Sequence, residues 1–146
     1  MGRLGSLEVL DGQFEDLDVC RIPARRDTME LLRTRVDLLR GDDKALLKMY
    51  LEAGSSFYQL GKLAGMNRST VCRRIHRMIR RLSDETYPVC QANPDSFSER
   101  ELAVIRDHFV RGLSVRRICR EHKLAYYRVR VIVDKARRFA HSTKTT

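Results

Sequence analysis

The chain is 146 residues long, enough for one ordinary domain or two very small ones, and carries a net charge of +10 at pH 7. No apolar run is long enough to span a membrane and no signal-peptide pattern opens the chain, so the expectation is a soluble, cytoplasmic protein. The charge is unevenly placed: residues 1–67 hold 10 Lys/Arg against 11 Asp/Glu, the remainder 19 against 8, so a field that attracts phosphate begins near residue 68.

Residues 1–27 form an N-terminal segment without a clean period. Leu7, Leu10, Phe14 and Leu17 suit a short helix or a loosely docked stretch, and no functional reading attaches to them. From Thr28, a helix is predicted by Met29, Leu32, Val36 and Leu39, spaced at helical intervals. Gly41 stops it, and Asp42 and Asp43 start the next helix with negative charge at its N-terminus. Leu46, Leu47, Tyr50 and Leu51 make the inward face of that helix, and Gly54 ends it.

The stretch from Ser55 to Leu82 has the residue grammar of a helix-turn-helix. Ser56 with Gln59 makes a capping box. Leu60 and Leu63 give a short helix its inward face, and Gly61 leaves room for a close crossing. Gly65 suits a left-handed turn residue, Met66 a plug between helices, and Asn67 the cap of the next helix. Val71, Ile75, Met78 and Leu82 then recur on a buried side. Arg68, Ser69, Arg73, Arg74 and Arg77 fall largely elsewhere, where a helix would enter a groove of DNA.

A shift of about 58 positions lays the chain on itself: Gly54 on Gly112, Ser56 on Ser114, Leu60 on Ile118, Met66 on Leu124 and Val71 on Val129. Two copies of one three-helix unit is the economical reading. Between them, residues 83–97 have a linker composition with Pro88 and Pro94. Ser98 and Glu101 form a second capping box, and Leu102, Ile105 and Phe109 line the helix that follows. Short and long helices near 114–122 and 125–140 complete the second copy, over residues 98–140. The tail, 141–146, is expected to be disordered. Val129, Val131, Ile132 and Val133 favour a strand locally, but the repeat register argues for helix. Lys123 replaces the turn glycine, so that turn must differ or carry strain. Tyr126 and Tyr127 stand at the places of Arg68 and Ser69; they either contact nucleic acid or pack on the linker. Arg128 and Arg130 suit phosphate contacts.

The expected fold is therefore all-α: two tandem three-helix helix-turn-helix units with an N-terminal lead-in helix. The four cysteines, Cys20, Cys72, Cys90 and Cys119, form no CxxC pair, and reduced, packed thiols are expected. No metal site, cofactor or small-molecule ligand is expected. No nucleotide loop or nucleophile with a base partner marks the chain as an enzyme. His76 reads as a surface residue among arginines.

Residues 42–54 (DDKALLKMYLEAG), 60–71 (LGKLAGMNRSTV) and 73–82 (RRIHRMIRRL) resemble the promoter-reading C-terminal domain of bacterial sigma factors, especially the small extracytoplasmic-function type. The helix from Thr28 to Leu39 fits that domain's lead-in, so the resemblance covers residues 28–82. It implies a domain that reads the upstream promoter element and touches the RNA polymerase core. Carried over by position, Arg68, Ser69, Thr70, Arg73 and Arg74 face DNA. The chain departs from the family in having about 25 residues before the first helix and no Trp, so no promoter-melting domain is expected. The resulting expectation is a nucleoid-associated regulator of transcription. It would bind double-stranded DNA through Asn67, Arg68, Ser69, Thr70, Arg73, Arg74 and Arg77, and through Tyr126, Tyr127, Arg128 and Arg130. The alternatives are an adaptor binding RNA polymerase or another protein, and the DNA-targeting module of a recombinase or transposase.

Overall fold

The computed structural model describes residues 26–145, so the readings of Leu7, Leu10, Phe14 and Leu17 lie outside the described residues. Among the described residues the fold is all-α, with no strand. The helices are α1 (Arg26–Arg35), which runs into a 3₁₀ turn at Val36–Leu38, α2 (Gly41–Ala53), α3 (Phe57–Ala64), α4 (Arg68–Ser83), α5 (Thr86–Gln91), α6 (Glu99–Ile105), which continues as a π-helical segment at Arg106–Val110, α7 (Val115–His122) and α8 (Tyr126–Thr145). No helix among the described residues is long and apolar enough to cross a membrane. The chain divides into two compact units: residues through Asp37 with Gly41–Ile79, and Leu38–Arg40 with Arg80 onward.

In the first unit the predicted apolar positions close one core. Leu32, Leu46, Leu47, Leu51, Leu60, Val71, Ile75 and Met78 are all buried, and full burial of such side chains stabilises by about 1.5–3 kcal/mol each. Tyr50 is only half-buried and stacks on Phe57, with ring centroids 5.4 Å apart. Leu63 corrects the sequence reading: it is 70% exposed. Helix α3 has only two turns, and the residues that reach the core from it are Leu60 and Gly61. Met66 is half-buried at the edge of the core instead of filling its centre.

The link from α3 to α4 is built by the residues that predicted it. Ser56 accepts from the Gln59 N–H and the Gln59 side chain accepts from the Ser56 N–H, completing the capping box. Gly65 takes φ 70°, ψ 27°, and donates its N–H to the Gly61 carbonyl. A Cβ on Gly61 would lie 2.6 Å from the Met66 carbonyl oxygen, so glycine is what lets the turn approach α3 this closely. Asn67 Oδ1 accepts from the Thr70 N–H at 2.8 Å and caps α4.

The second unit repeats these devices in register. Ser114 caps α7 by accepting from the Arg117 N–H. Lys123 occupies the left-handed conformation of Gly65, at φ 54°, ψ 47°, and its N–H reaches the Cys119 carbonyl as that of Gly65 reaches Gly61. Gly54 and Gly112 both have positive φ, 61° and 72°. The β-branched run is helical because Val129, Ile132 and Val133 fall with Ala136 on one buried face, and burial overrides local preference. Val104 and Val110 are buried where Leu102 and Phe109 were expected; these two are half-buried.

Three sequence expectations change here. Residues 83–97 hold helix α5 instead of a plain linker. Asp84 Oδ1 accepts from the Thr86 N–H, Asn93 Nδ2 donates to the Val89 carbonyl, and Pro88 falls in the first turn, where its missing N–H costs nothing. Tyr87, Cys90 and Phe97 are buried, with Phe97 meeting Phe139 edge-on at 5.1 Å. The expected disordered tail is the last turn of α8, which runs to Thr145, and Thr143 Oγ1 donates to the Phe139 carbonyl. Cys72 is disulfide-bonded and not a reduced thiol, whereas Cys90 and Cys119 are free. Burial pushes the Cys90 thiol up to about 11.

One polar cluster lies inside the second unit. Asp107 is 2% exposed, accepts from Arg111 Nη1 at 2.7 Å and pairs with His122 Nε2 at 2.6 Å. Arg111 also donates to the Leu38 carbonyl at 2.9 Å. Burial alone would raise the Asp107 carboxyl, but the hydrogen bonds from His122 and Arg111 outweigh it and hold the group below the ordinary carboxylate value. Every member has a structural partner, so the cluster ties the π-helical segment to α7.

Candidate nucleic-acid interface

Helix α4 carries its basic residues in two separate stripes. The buried seam runs through Val71, Ile75, Met78 and Leu82. Thr70, Arg73, Arg77 and Arg80 follow one another at three- and four-residue intervals on the opposite side, and all four are exposed. Arg73, Arg77 and Arg80 make no hydrogen bond or ion pair among the described residues. Asn67 is exposed and committed to its cap; Arg68 and Ser69 are half-buried at the start of the helix.

Arg74 and Arg81 sit seven residues apart, on a stripe bordering the buried seam, and both are spent on the protein. Arg74 Nε and Nη2 each lie 2.7 Å from Asp43 Oδ1 on α2, and Nη1 touches Met66 Sδ at 3.7 Å. Arg81 Nε donates to the Val110 carbonyl at 3.0 Å, and its guanidinium lies 2.7 Å from where a Cβ on Gly112 would be. Arg74, expected to face DNA, is engaged with Asp43 on its own unit. A guanidinium already ion-paired at 2.7 Å is a clip between helices. Arg81 is likewise engaged. Of the rest of the predicted first-copy set, Thr70, Arg73 and Arg77 lie on the outer side of the helix, while Arg68 and Ser69 are half-buried at its start.

Helix α8 presents a different surface at the same register. Tyr126 and Tyr127 are 55% and 78% exposed, so each stands largely in solvent. Arg128 and Arg130 are exposed. Val131 stands where α4 has Arg73 and is 37% exposed. Ile132, at the place of Arg74, is buried, and Phe139, at the place of Arg81, packs on Phe97. Lys135, at the place of Arg77, donates to the Ser96 carbonyl at 2.7 Å, pairs with Glu101 at 3.2 Å and lies 4.6 Å over the Phe97 ring. Of the outward basic stripe only Arg138 keeps an exposed equivalent. Sequence reasoning missed Val131; the 58-residue shift, applied to Arg73, was the signal that could have found it.

Chemically, the α4 stripe offers three unengaged guanidinium groups and a hydroxyl on a rod whose other side is anchored. Arginine forks of this kind match guanine O6/N7 and phosphate oxygens. No group of three or more His, Cys, Asp or Glu side chains suited to a metal ion occurs among the described residues. Comparison of the chain with protein-family models, with curated proteins and with solved structures finds no match.

Proposed function

We propose that the protein is a non-enzymatic, double-stranded DNA-binding regulator of transcription, located with the nucleoid, built from two tandem three-helix helix-turn-helix units behind the lead-in helix α1. In this reading residues 28–82 form a unit of the sigma-factor type and residues 98–140 a second, divergent one. Helix α4 enters the major groove, which is wide enough to admit an α-helix. The observation that carries the reading is the stripe of Arg73, Arg77 and Arg80. These groups are exposed and unengaged, while their neighbours Arg74 and Arg81 are locked into the protein. Arg73 reads a base edge; Arg77 and Arg80 meet phosphates. Two readers on one chain raise each other's effective concentration without requiring a palindromic site.

Fluorescence anisotropy with labelled duplexes over a salt series tests this. Each phosphate contact contributes a slope of about −0.9 in log K against log salt. Replacing Arg77 and Arg80 by alanine is expected to flatten the slope by roughly 2 on any sequence. A slope near zero for the unaltered protein would remove the reading.

A second reading rests on a separate feature of the first unit. Leu63 is 70% exposed and, with Ala45, Leu46, Ala64 and Met66, lines an open recess bordered by Asp42 and Arg74. This supports an adaptor that takes an apolar side chain of a protein such as the RNA polymerase core. Recovery of polymerase from a nuclease-treated lysate, lost on Leu63→Asp, would favour it.

A further inference from the structure

The second unit carries an apolar and aromatic centre where the first carries arginine. Tyr127 is 78% exposed, Tyr126 55% and Val131 37%, a group of large apolar surfaces held in water on one helix. The margin around it is cationic. Arg128 and Arg130 are exposed on the same helix, and Arg116 and Arg120 of α7 line an open recess with Tyr126 and Cys119. Asp134, three residues beyond Val131, lies 4.0 Å from Arg137. An apolar centre inside a ring of arginines fits a polyanion that displays an apolar feature between its phosphates. In the major groove that feature is the thymine 5-methyl group.

We infer that α8 is a thymine reader: Val131, with Tyr127 beside it, packs against thymine 5-methyl groups while Arg116, Arg120, Arg128 and Arg130 hold the flanking phosphates. The inference rests on the duplex-DNA reading above and adds its second half. The composite site then joins a guanine-reading half, set by Arg73, to a thymine-reading half, set by Val131 at the same register. Valine cannot donate to guanine, so the two halves of the chain do not read the same bases.

The test uses the full chain and the duplex it enriches from a random pool. Each thymine of that duplex is replaced singly by deoxyuridine, which deletes only the methyl. At one or two positions affinity is expected to fall about fourfold, the ratio that ~0.8 kcal/mol for one buried methyl corresponds to. Val131→Ala should erase the difference between thymine and uracil at those positions; Val131→Thr should keep part of it; Arg73→Ala should leave it intact. Val131 is at the surface, so these variants retain the core. If every replacement stays within twofold, or the penalty persists in Val131→Ala, the inference is overturned while duplex binding stands. If no duplex is enriched, the reading beneath it fails and takes this inference with it.

Discussion

Arg73 and Arg74 are adjacent in sequence yet differently engaged, one exposed and the other ion-paired, and alanine at each separates them. Arg74 places two nitrogens 2.7 Å from Asp43 Oδ1, with side chains 36% and 28% exposed. Exposed ion pairs contribute about 0.2–1 kcal/mol, and partial shielding with two short contacts puts this one near the upper end. Arg74→Ala is therefore expected to cost roughly 1 kcal/mol in urea unfolding followed by far-UV circular dichroism. A double-mutant cycle with Asp43→Ala should return a coupling of about 0.5–1 kcal/mol. Arg73 makes no contact to lose, so Arg73→Ala should leave stability within about 0.5 kcal/mol. Its effect should appear in the ratio of specific to random duplex affinity, reduced by about 1–3 kcal/mol, or roughly 5- to 150-fold. If Arg74→Ala left stability untouched and collapsed that ratio, or Arg73→Ala were the more destabilising of the two, the division of α4 into an inner and an outer stripe would be wrong.

The two turns predict reciprocal effects. Lys123 is exposed and left-handed at φ 54°, so Lys123→Gly should stabilise by about 1 kcal/mol. Gly65→Lys should destabilise by a similar amount, and for the backbone alone, since a Cβ there meets nothing within 4 Å; unfolding midpoints measure both. Gly61→Ala acts differently. Its Cβ would press on the Met66 carbonyl at 2.6 Å, and a loss of about 2 kcal/mol or more is expected, with duplex binding weakened through a displaced α4. Asp107 has a lowered folded-state pKa, so its contribution is fully present above the ordinary carboxylate value of 3.8 and is lost as pH falls through the folded value. Asp107→Asn should cost about 2–4 kcal/mol at neutral pH, because it strands Arg111 and His122. It should also reduce the acid dependence of stability below about pH 4, as read by circular dichroism across a pH series.

What the sequence displays plainly is local. Ser56, Gln59, Ser98 and Glu101 cap their helices as their spacing indicates, and the αL residues fall at Gly65 and Lys123 because a tight turn needs a positive φ whichever residue supplies it. What it conceals depends on partners distant along the chain. Nothing in the order Arg73-Arg74 says that Asp43, 31 residues earlier, lies beside the second and not the first. Leu63 satisfies an apolar period on a helix too short for the period to decide its face. The Pro-rich composition of 83–97 hid α5, because one proline lies in a first turn and the end groups are met by Asp84 and Asn93. Lys135 looks like another groove-facing cation until Glu101 and Phe97 are folded against it. The candidate surface was thus legible as a helix, and its division into structural and outward residues was not.

Selection of bound duplexes from a random-sequence pool by the intact chain, repeated with Arg73→Ala, measures the central claim most directly. The expected result is one enriched motif containing a guanine whose preference disappears with Arg73→Ala while the rest of the motif persists. An unenriched pool, or an unchanged guanine preference in the variant, would contradict major-groove reading by α4.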